Sequence, residues 1–223
     1  MTQTKDAYSP NPHQYIVAKE GFPFISIAFA MAFFSLFFHV PLLSFFLFGI
    51  GIFIVSFFRN PTRHLPGNSN HLISPADGKV IGIFPGEKHP LSTETFTRIS
   101  IFMSVFNAHV NRFPTDVKIK KIVYHTGKFL VASDQRAATE NESNQMLVED
   151  EQGQEIVLVQ IAGLVARRII CYFKAGASAK RGEHLGLIRF GSRVDLYLPQ
   201  NYTVSTKAGD KLKAGLSIIG ERL

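Results

Sequence analysis

The sequence predicts a mainly β protein, a compact antiparallel β-sheet domain preceded by an N-terminal hydrophobic helical hairpin. Three observations carry this expectation. Residues 21–58 contain no Asp, Glu, Lys or Arg, and they hold 13 of the 21 phenylalanines. Pro41 divides that run into two halves of similar length. From residue 71 onward, short runs rich in β-branched and aromatic residues are separated by turn dipeptides, the pattern of consecutive strands.

The polar segment 1–20 comes first, and its charges cancel: Lys5 and Lys19 against Asp6 and Glu20. The uncharged run then starts too late and lasts too long for a secretory signal peptide. A single straight helix over 21–58 would reach roughly 57 Å, nearly twice a ~30 Å hydrocarbon core. His39-Val40-Pro41 is the expected break, because Pro41 cannot continue a helix but suits a first turn. The halves, Gly21–Phe38 and Pro41–Phe58, predict a helical hairpin whose ends lie on one side of a membrane. Lys19 before it and Arg59 and Arg63 after it place those ends in the cytoplasm by the positive-inside tendency. A re-entrant hairpin dipping into one leaflet and a pair of buried core helices are the alternatives. Residues 59–70, with Pro61, Pro66 and Gly67, read as an extended linker.

In the remaining domain, 71–223, strands are expected at Lys79–Phe84, Thr97–Met103, Val117–Tyr124, Gln145–Glu149, Glu155–Ile161, Arg168–Phe173, Gly186–Phe190, Arg193–Leu198 and Ser217–Ile219. Val117-Lys118-Ile119-Lys120 alternates as a half-exposed strand does. Ile169–Phe173 does not, and is expected to be buried on both faces. Ser133–Asn144 is polar and reads as a surface loop. One short helical patch is expected near Gly163–Ala166.

Composition excludes several classes of function. A single cysteine, Cys171, rules out a disulfide scaffold within one chain and a Cys-built metal site; it is expected to be a small buried hydrophobe. No metal site is expected. The net charge of +7 falls entirely on residues 59–223. Its Lys and Arg are scattered rather than clustered, so an anionic leaflet explains them better than nucleic acid. The chain has no Gly-x-Ser-x-Gly elbow, phosphate-binding glycine loop or His-Glu-x-x-His.

Three spots remain. Ser74-Pro75-Ala76-Asp77-Gly78 is, taken alone, a turn with Asp and Gly in their usual places. Phe106–Pro114 contains His109 and Arg112. Leu187–Asp195 contains the one Gly-Ser of the chain, Gly191-Ser192, between two apolar strand-like runs.

Together with Phe57–Pro66, the Glu140-Asn141-Glu142 loop and Arg181-Gly182-Glu183, these stretches make the chain resemble the phosphatidylserine decarboxylases, in their short type A (archaeal-type) form. The resemblance runs from about Phe22 to the C-terminus. It implies a carboxy-lyase made as an inactive zymogen that cuts itself between Gly191 and Ser192. Ser192 would then become a covalent pyruvoyl group, the only cofactor, capping a small subunit 192–223 beside a large subunit 1–191. That group would form a Schiff base with phosphatidylserine in the membrane and release phosphatidylethanolamine, a step of phospholipid biosynthesis. The resemblance also implies a base for the Ser192 hydroxyl, oriented by a carboxylate. Asp77 matches the family's Asp motif. His109 is the expected base, although longer family members have two His three residues apart and usually assign this role to the second, where this chain has Arg112. His71 and His184 are held in reserve. Arg112, Arg193 and the 133–144 loop are guesses for headgroup binding, and a homodimer is possible. The alternatives are a pyruvoyl-dependent decarboxylase of another amino-headgroup lipid or amino acid, and a non-enzymatic membrane-tethered β-domain.

Overall fold

A computed structural model describes residues 15–164, 168–189 and 191–223. Two helices come first, α1 (Phe22–Phe37) and α2 (Pro41–Phe57), close to the expected halves. Fourteen strands follow: β1 (His71–Ile73), β2 (Gly78–Lys88), β3 (Thr95–Met103), β4 (Val110–Arg112), β5 (Val117–His125), β6 (Ser143–Asp150), β7 (Glu155–Ala162), β8 (Ile169–Cys171), β9 (Ser178–Ala179), β10 (His184–Ile188), β11 (Ser192–Pro199), β12 (Tyr202–Val204), β13 (Lys211–Leu212) and β14 (Ile218–Arg222). A one-turn helix, α3 (Ala137–Glu140), lies between β5 and β6.

Pro41 opens α2 as expected, and His39 takes a left-handed φ of 57° in the turn before it. The helices span about 24 and 26 Å at ~1.5 Å per residue. Ser44 Oγ on α2 donates to the Ala32 carbonyl of α1 at 2.8 Å, and Gly51 lies flat against the Phe29 ring. Small residues and hydroxyl bonds of this kind hold helices together where water is absent. Most of the large apolar side chains of the pair are uncovered, among them Phe33, Phe37, Leu42 and Phe45. The helix counted from Lys19 to Phe37 is long and apolar enough to cross a membrane; Pro41–Phe57 is apolar but shorter. The pair's exposed apolar surface marks membrane association.

The domain is built on an eight-stranded antiparallel sheet in the order β13-β2-β3-β11-β7-β6-β5-β9. Two three-stranded sheets, β4-β10-β8 and β1-β14-β12, complete it. The nine strands expected from sequence are present. Phe190, the expected end of one of them, lies outside the described residues, as do Val165 and Ala166 of the expected helical patch. The main core joins Ile99, Ile101, Ile119, Val148, Leu158, Val194 and Leu196 across the long strands. β5 alternates buried and exposed over Val117–Lys120, as its sequence requires. Ile169–Cys171 differs from expectation. It forms an edge strand beside β10, and only Ile169 is buried. An edge strand has one unpaired side, so an apolar run there is covered on fewer faces than in a sheet centre. The polar stretch 133–144 is also more ordered than a loop, since it contains α3 and the first residues of β6.

Candidate active site

β11 runs through the middle of the large sheet, between β3 and β7. Its first residue, Ser192, is fully buried and lies opposite Met103 on one side and Ala162 on the other. The hydroxyl donates to the Met103 thioether at 3.4 Å, a weak acceptor, so it is held in place but not consumed. Gly191 just before it has φ +73°, a left-handed conformation that favours glycine, while open space surrounds the position of its missing Cβ. The constraint is therefore on the backbone and not on volume. The Gly191 carbonyl oxygen accepts a hydrogen bond from Gly163 N–H at 3.1 Å.

A buried amide row lies behind the serine. Asn144 donates to Gln160 at 3.0 Å, and Gln160 donates to Asn111 at 2.8 Å. Asn111 reaches the same Met103 sulfur at 3.5 Å. Each amide finds a partner inside the core, as burial demands.

His109 sits just before β4 and is 2% exposed. Its Nδ1 lies 2.9 Å from the Asn107 carbonyl. A carbonyl only accepts, so Nδ1 carries the hydrogen, and the Nε2 lone pair is buried without a partner. Burial pulls the His109 pKa down to about 4; the Asn107 bond opposes this, and the nearby Arg59 charge adds to it. The imidazole is thus neutral near pH 7, with one bare basic nitrogen. The ring of Phe57, at the end of α2, stacks on it at a 4.0 Å centroid separation. Arg59 Nη2 donates to the Phe106 carbonyl at 2.8 Å, and Phe53 meets Phe106 edge-on. The hydrophobic hairpin therefore ends directly on the His109 loop.

Asp77 is placed by the turn into β2. Its carboxylate accepts Arg63 Nη2 at 3.0 and 3.2 Å and the Ala214 N–H at 2.7 Å. The next residue, Gly78, packs on the Phe102 carbonyl of β3, one residue from the partner of Ser192. Asp77 thus lies at the same end of the sheet as Ser192, about 10 Å across two strand spacings of ~4.8 Å. Among the described residues no hydrogen bond joins Ser192, His109 and Asp77 to one another: each has the separate partner given above.

The other expected site residues are placed differently. Arg112 and Arg193 are expected at the headgroup, but both side chains turn inward. Arg112 donates to the carbonyls of Gly182 and Pro61 and clamps the linker to the domain. Its pKa falls to about 10 through burial and the charge of Arg63. Arg193 makes two bonds to Asp195, at 2.6 and 2.8 Å, and a third to Ser100. His71 Nδ1 accepts from Asn68 N–H at 3.2 Å, and buried His184 lies opposite Arg112 in the ladder. Sequence reasoning attached no role in the site to Met103, Gly163 or Asn111. Asn141 was visible only as part of the Glu140-Asn141-Glu142 stretch. Its side chain is buried and holds the Ala162 carbonyl at 2.8 Å, on the same peptide whose N–H meets Gly191. Cys171 is half-buried, its thiol pushed up by burial, and donates to the Phe173 carbonyl at 3.5 Å.

Comparison with known proteins places this geometry in a family. Residues 50–220 match the family model described as phosphatidylserine decarboxylase. The phosphatidylserine decarboxylase proenzyme of Geotalea uraniireducens is 47% identical over 205 residues, covering 92% of this chain and 95% of that protein. The proenzymes of Geobacter metallireducens and Paraburkholderia xenovorans are 46% and 42% identical, again over more than nine-tenths of each chain. A family match over most of the chain, together with relatives of nearly the same length, shows that the protein belongs to the phosphatidylserine decarboxylase family, in its short form.

Proposed function

We propose that this chain is a zymogen that cuts itself between Gly191 and Ser192 and, once cut, converts phosphatidylserine to phosphatidylethanolamine. The observation that carries the reading is the pair itself: a buried serine hydroxyl at the head of a central strand, behind a glycine in a left-handed turn. Ser192 Oγ attacks the Gly191 carbonyl carbon, and the peptide nitrogen leaves with a proton, giving an ester. Loss of the Ser192 α-proton expels the Gly191 carboxylate. The resulting enamine exchanges ammonia for water, which leaves a ketone at position 192. The pyruvoyl group supplies an electron sink for the pair released when carbon dioxide departs.

This chain's residues supply the rest. Ser192 is fully buried, so charge that develops there is stabilised by fixed dipoles of the protein. His109 is proposed as the base, because its neutral Nε2 is free to take a proton. In the uncut chain it must move to reach Ser192, and the Phe57 stack is the contact that such a movement breaks. Asp77 is proposed to act through the fold: it fixes the Arg63 linker over the same end of the sheet. Arg112 and Arg193 are proposed as structural cations that shape the site, which leaves headgroup recognition to backbone and loop donors.

The hairpin brings the site to a bilayer, and Lys19, Arg59 and Arg63 favour its ends on the cytoplasmic face. Helices of 16 and 17 residues fit a thin membrane or a hairpin dipping into one leaflet equally well. Carbon dioxide release from phosphatidylserine vesicles, set against free serine, tests the substrate. Turnover of the lipid with little of the amino acid is expected; the reverse would assign a soluble substrate.

A further inference from the structure

We propose that the backbone N–H of Gly163 is a catalytic group of the self-cleavage, holding the Gly191 oxygen as it gains negative charge. The inference rests on the reading that Ser192 attacks the Gly191 carbonyl.

The donor is at the right distance. Gly163 N lies 3.1 Å from Gly191 O, within the reach of an oxyanion-hole bond. It is also fixed before reaction begins. The N–H belongs to the peptide unit joining Ala162 and Gly163. The carbonyl oxygen of that same unit accepts from Asn141 Nδ2 at 2.8 Å. Asn141 is 1% exposed, and a bond from Leu130 N–H at 2.9 Å and one to the Leu130 carbonyl at 2.8 Å hold its amide in turn. Ala162 N–H, at the head of the same segment, donates to the Glu142 carbonyl at 2.9 Å. The peptide plane is gripped at one end by a buried amide and points its other end at the carbonyl to be cut.

The glycine at 163 follows from this contact. A Cβ there would stand 2.4 Å from Gly191 O and 3.1 Å from the Ala132 methyl. Any side chain would push away the oxygen that the N–H holds. Asn141 is then a positioning residue, acting through the peptide that it clamps.

The chemistry needs such a donor. As the Ser192 Oγ–C bond forms, the carbonyl π pair moves onto the Gly191 oxygen and the hydroxyl proton passes to the base. When the C–N bond breaks, the nitrogen takes a proton and the oxygen's pair closes the ester carbonyl. Gly163 keeps its hydrogen throughout; its contribution is electrostatic and greatest at the tetrahedral stage. An ordinary ladder bond at the end of the β7–β11 pair would support the fold without altering this rate.

The test separates those roles. The full-length precursor is made by cell-free translation on phospholipid nanodiscs with glycolic acid in place of residue 163, which exchanges the N–H for an ester oxygen and adds no side chain. A second precursor carries the same exchange at Gly153, in the β6–β7 turn, whose N–H donates to the Asp150 carbonyl at 3.1 Å. Pulse-labelled chains are chased, and the cut is followed by gel and mass. The 163 ester should slow the cut about 100-fold or more, as loss of an oxyanion donor does, while the 153 ester cuts at the unmodified rate. Gly163→Ala should leave the precursor uncut. Cleavage of the 163 ester at the unmodified rate, or equal slowing by both esters, would overturn the inference and leave self-cleavage standing. If the unmodified chain is never cut between Gly191 and Ser192, the self-cleavage reading itself fails.

Discussion

Acidification is expected to destabilise the folded chain through His109, by an amount that its surroundings set. Burial is the largest influence on this imidazole and holds its pKa at about 4, against an ordinary value of 6.5. The Asn107 carbonyl opposes the shift, and Arg59 reinforces it. Above the ordinary value, both the folded and unfolded chains carry a neutral ring, and the group has no effect on stability. As pH falls below it, the unfolded chain takes up the proton and the folded chain does not, so stability is lost. The loss continues until the folded ring also titrates, near pH 4. At 1.36 kcal/mol per pH unit of displacement the total is roughly 3 kcal/mol. The assay is denaturant unfolding of the Ser192→Ala chain in detergent micelles, which remains one species, from pH 7 to pH 4. The same chain with His109→Asn keeps a donor for the Asn107 carbonyl but has nothing to titrate. Other groups, such as half-buried His89, cancel in the comparison. The histidine chain should lose about 3 kcal/mol more than the asparagine chain over this range. A difference below about 0.5 kcal/mol, or a His109 ring protonated on both nitrogens at pH 6, would refute the neutral-base argument.

Three further outcomes are expected. Ser192→Ala should run as a single uncut chain on a denaturing gel, and normal cleavage in that variant would remove Ser192 from the chemistry. Asp77→Asn removes the negative charge that Arg63 and the Ala214 N–H share, and should slow processing while lowering stability by about 2–3 kcal/mol, the range for a lost charge-assisted bond at a buried site; unchanged processing would return Asp77 to a plain turn. Arg193→Met leaves Asp195, 1% exposed, with only Arg98 at 3.6 Å, and should cost about 3–5 kcal/mol in urea unfolding with the substrate KM unchanged. A raised KM at unchanged stability would make Arg193 a headgroup ligand after all.

The long strands were legible because each carries a run of β-branched residues long enough to show its period. β1, β4, β9, β12 and β13 were not, since two or three residues hold no pattern and their pairing is decided by the strands beside them. Gly191-Ser192 stood out as the one Gly-Ser between apolar runs, and the structure gives it the left-handed turn that its residues allow. Gly163 drew notice only as the start of an expected helical patch. Its reason for being glycine is an oxygen 28 residues away, and nothing local announces that contact. Arg112 and Arg193 were guesses for headgroup binding, and the structure turns both side chains inward. What turned them inward were a carbonyl 70 residues distant and a carboxylate two residues on, and only the second lies within reach of a sequence pattern. Asn141 stands in the Glu140-Asn141-Glu142 stretch, where its neighbours announce no role, and burial supplies one.

Intact mass of the purified protein tests the central claim most directly. The account predicts two chains, residues 1–191 ending in a free Gly191 carboxylate and residues 192–223 whose first residue has lost ammonia relative to serine. One chain of 223 residues, a break at another bond, or a small chain beginning with an ordinary serine amine would contradict it.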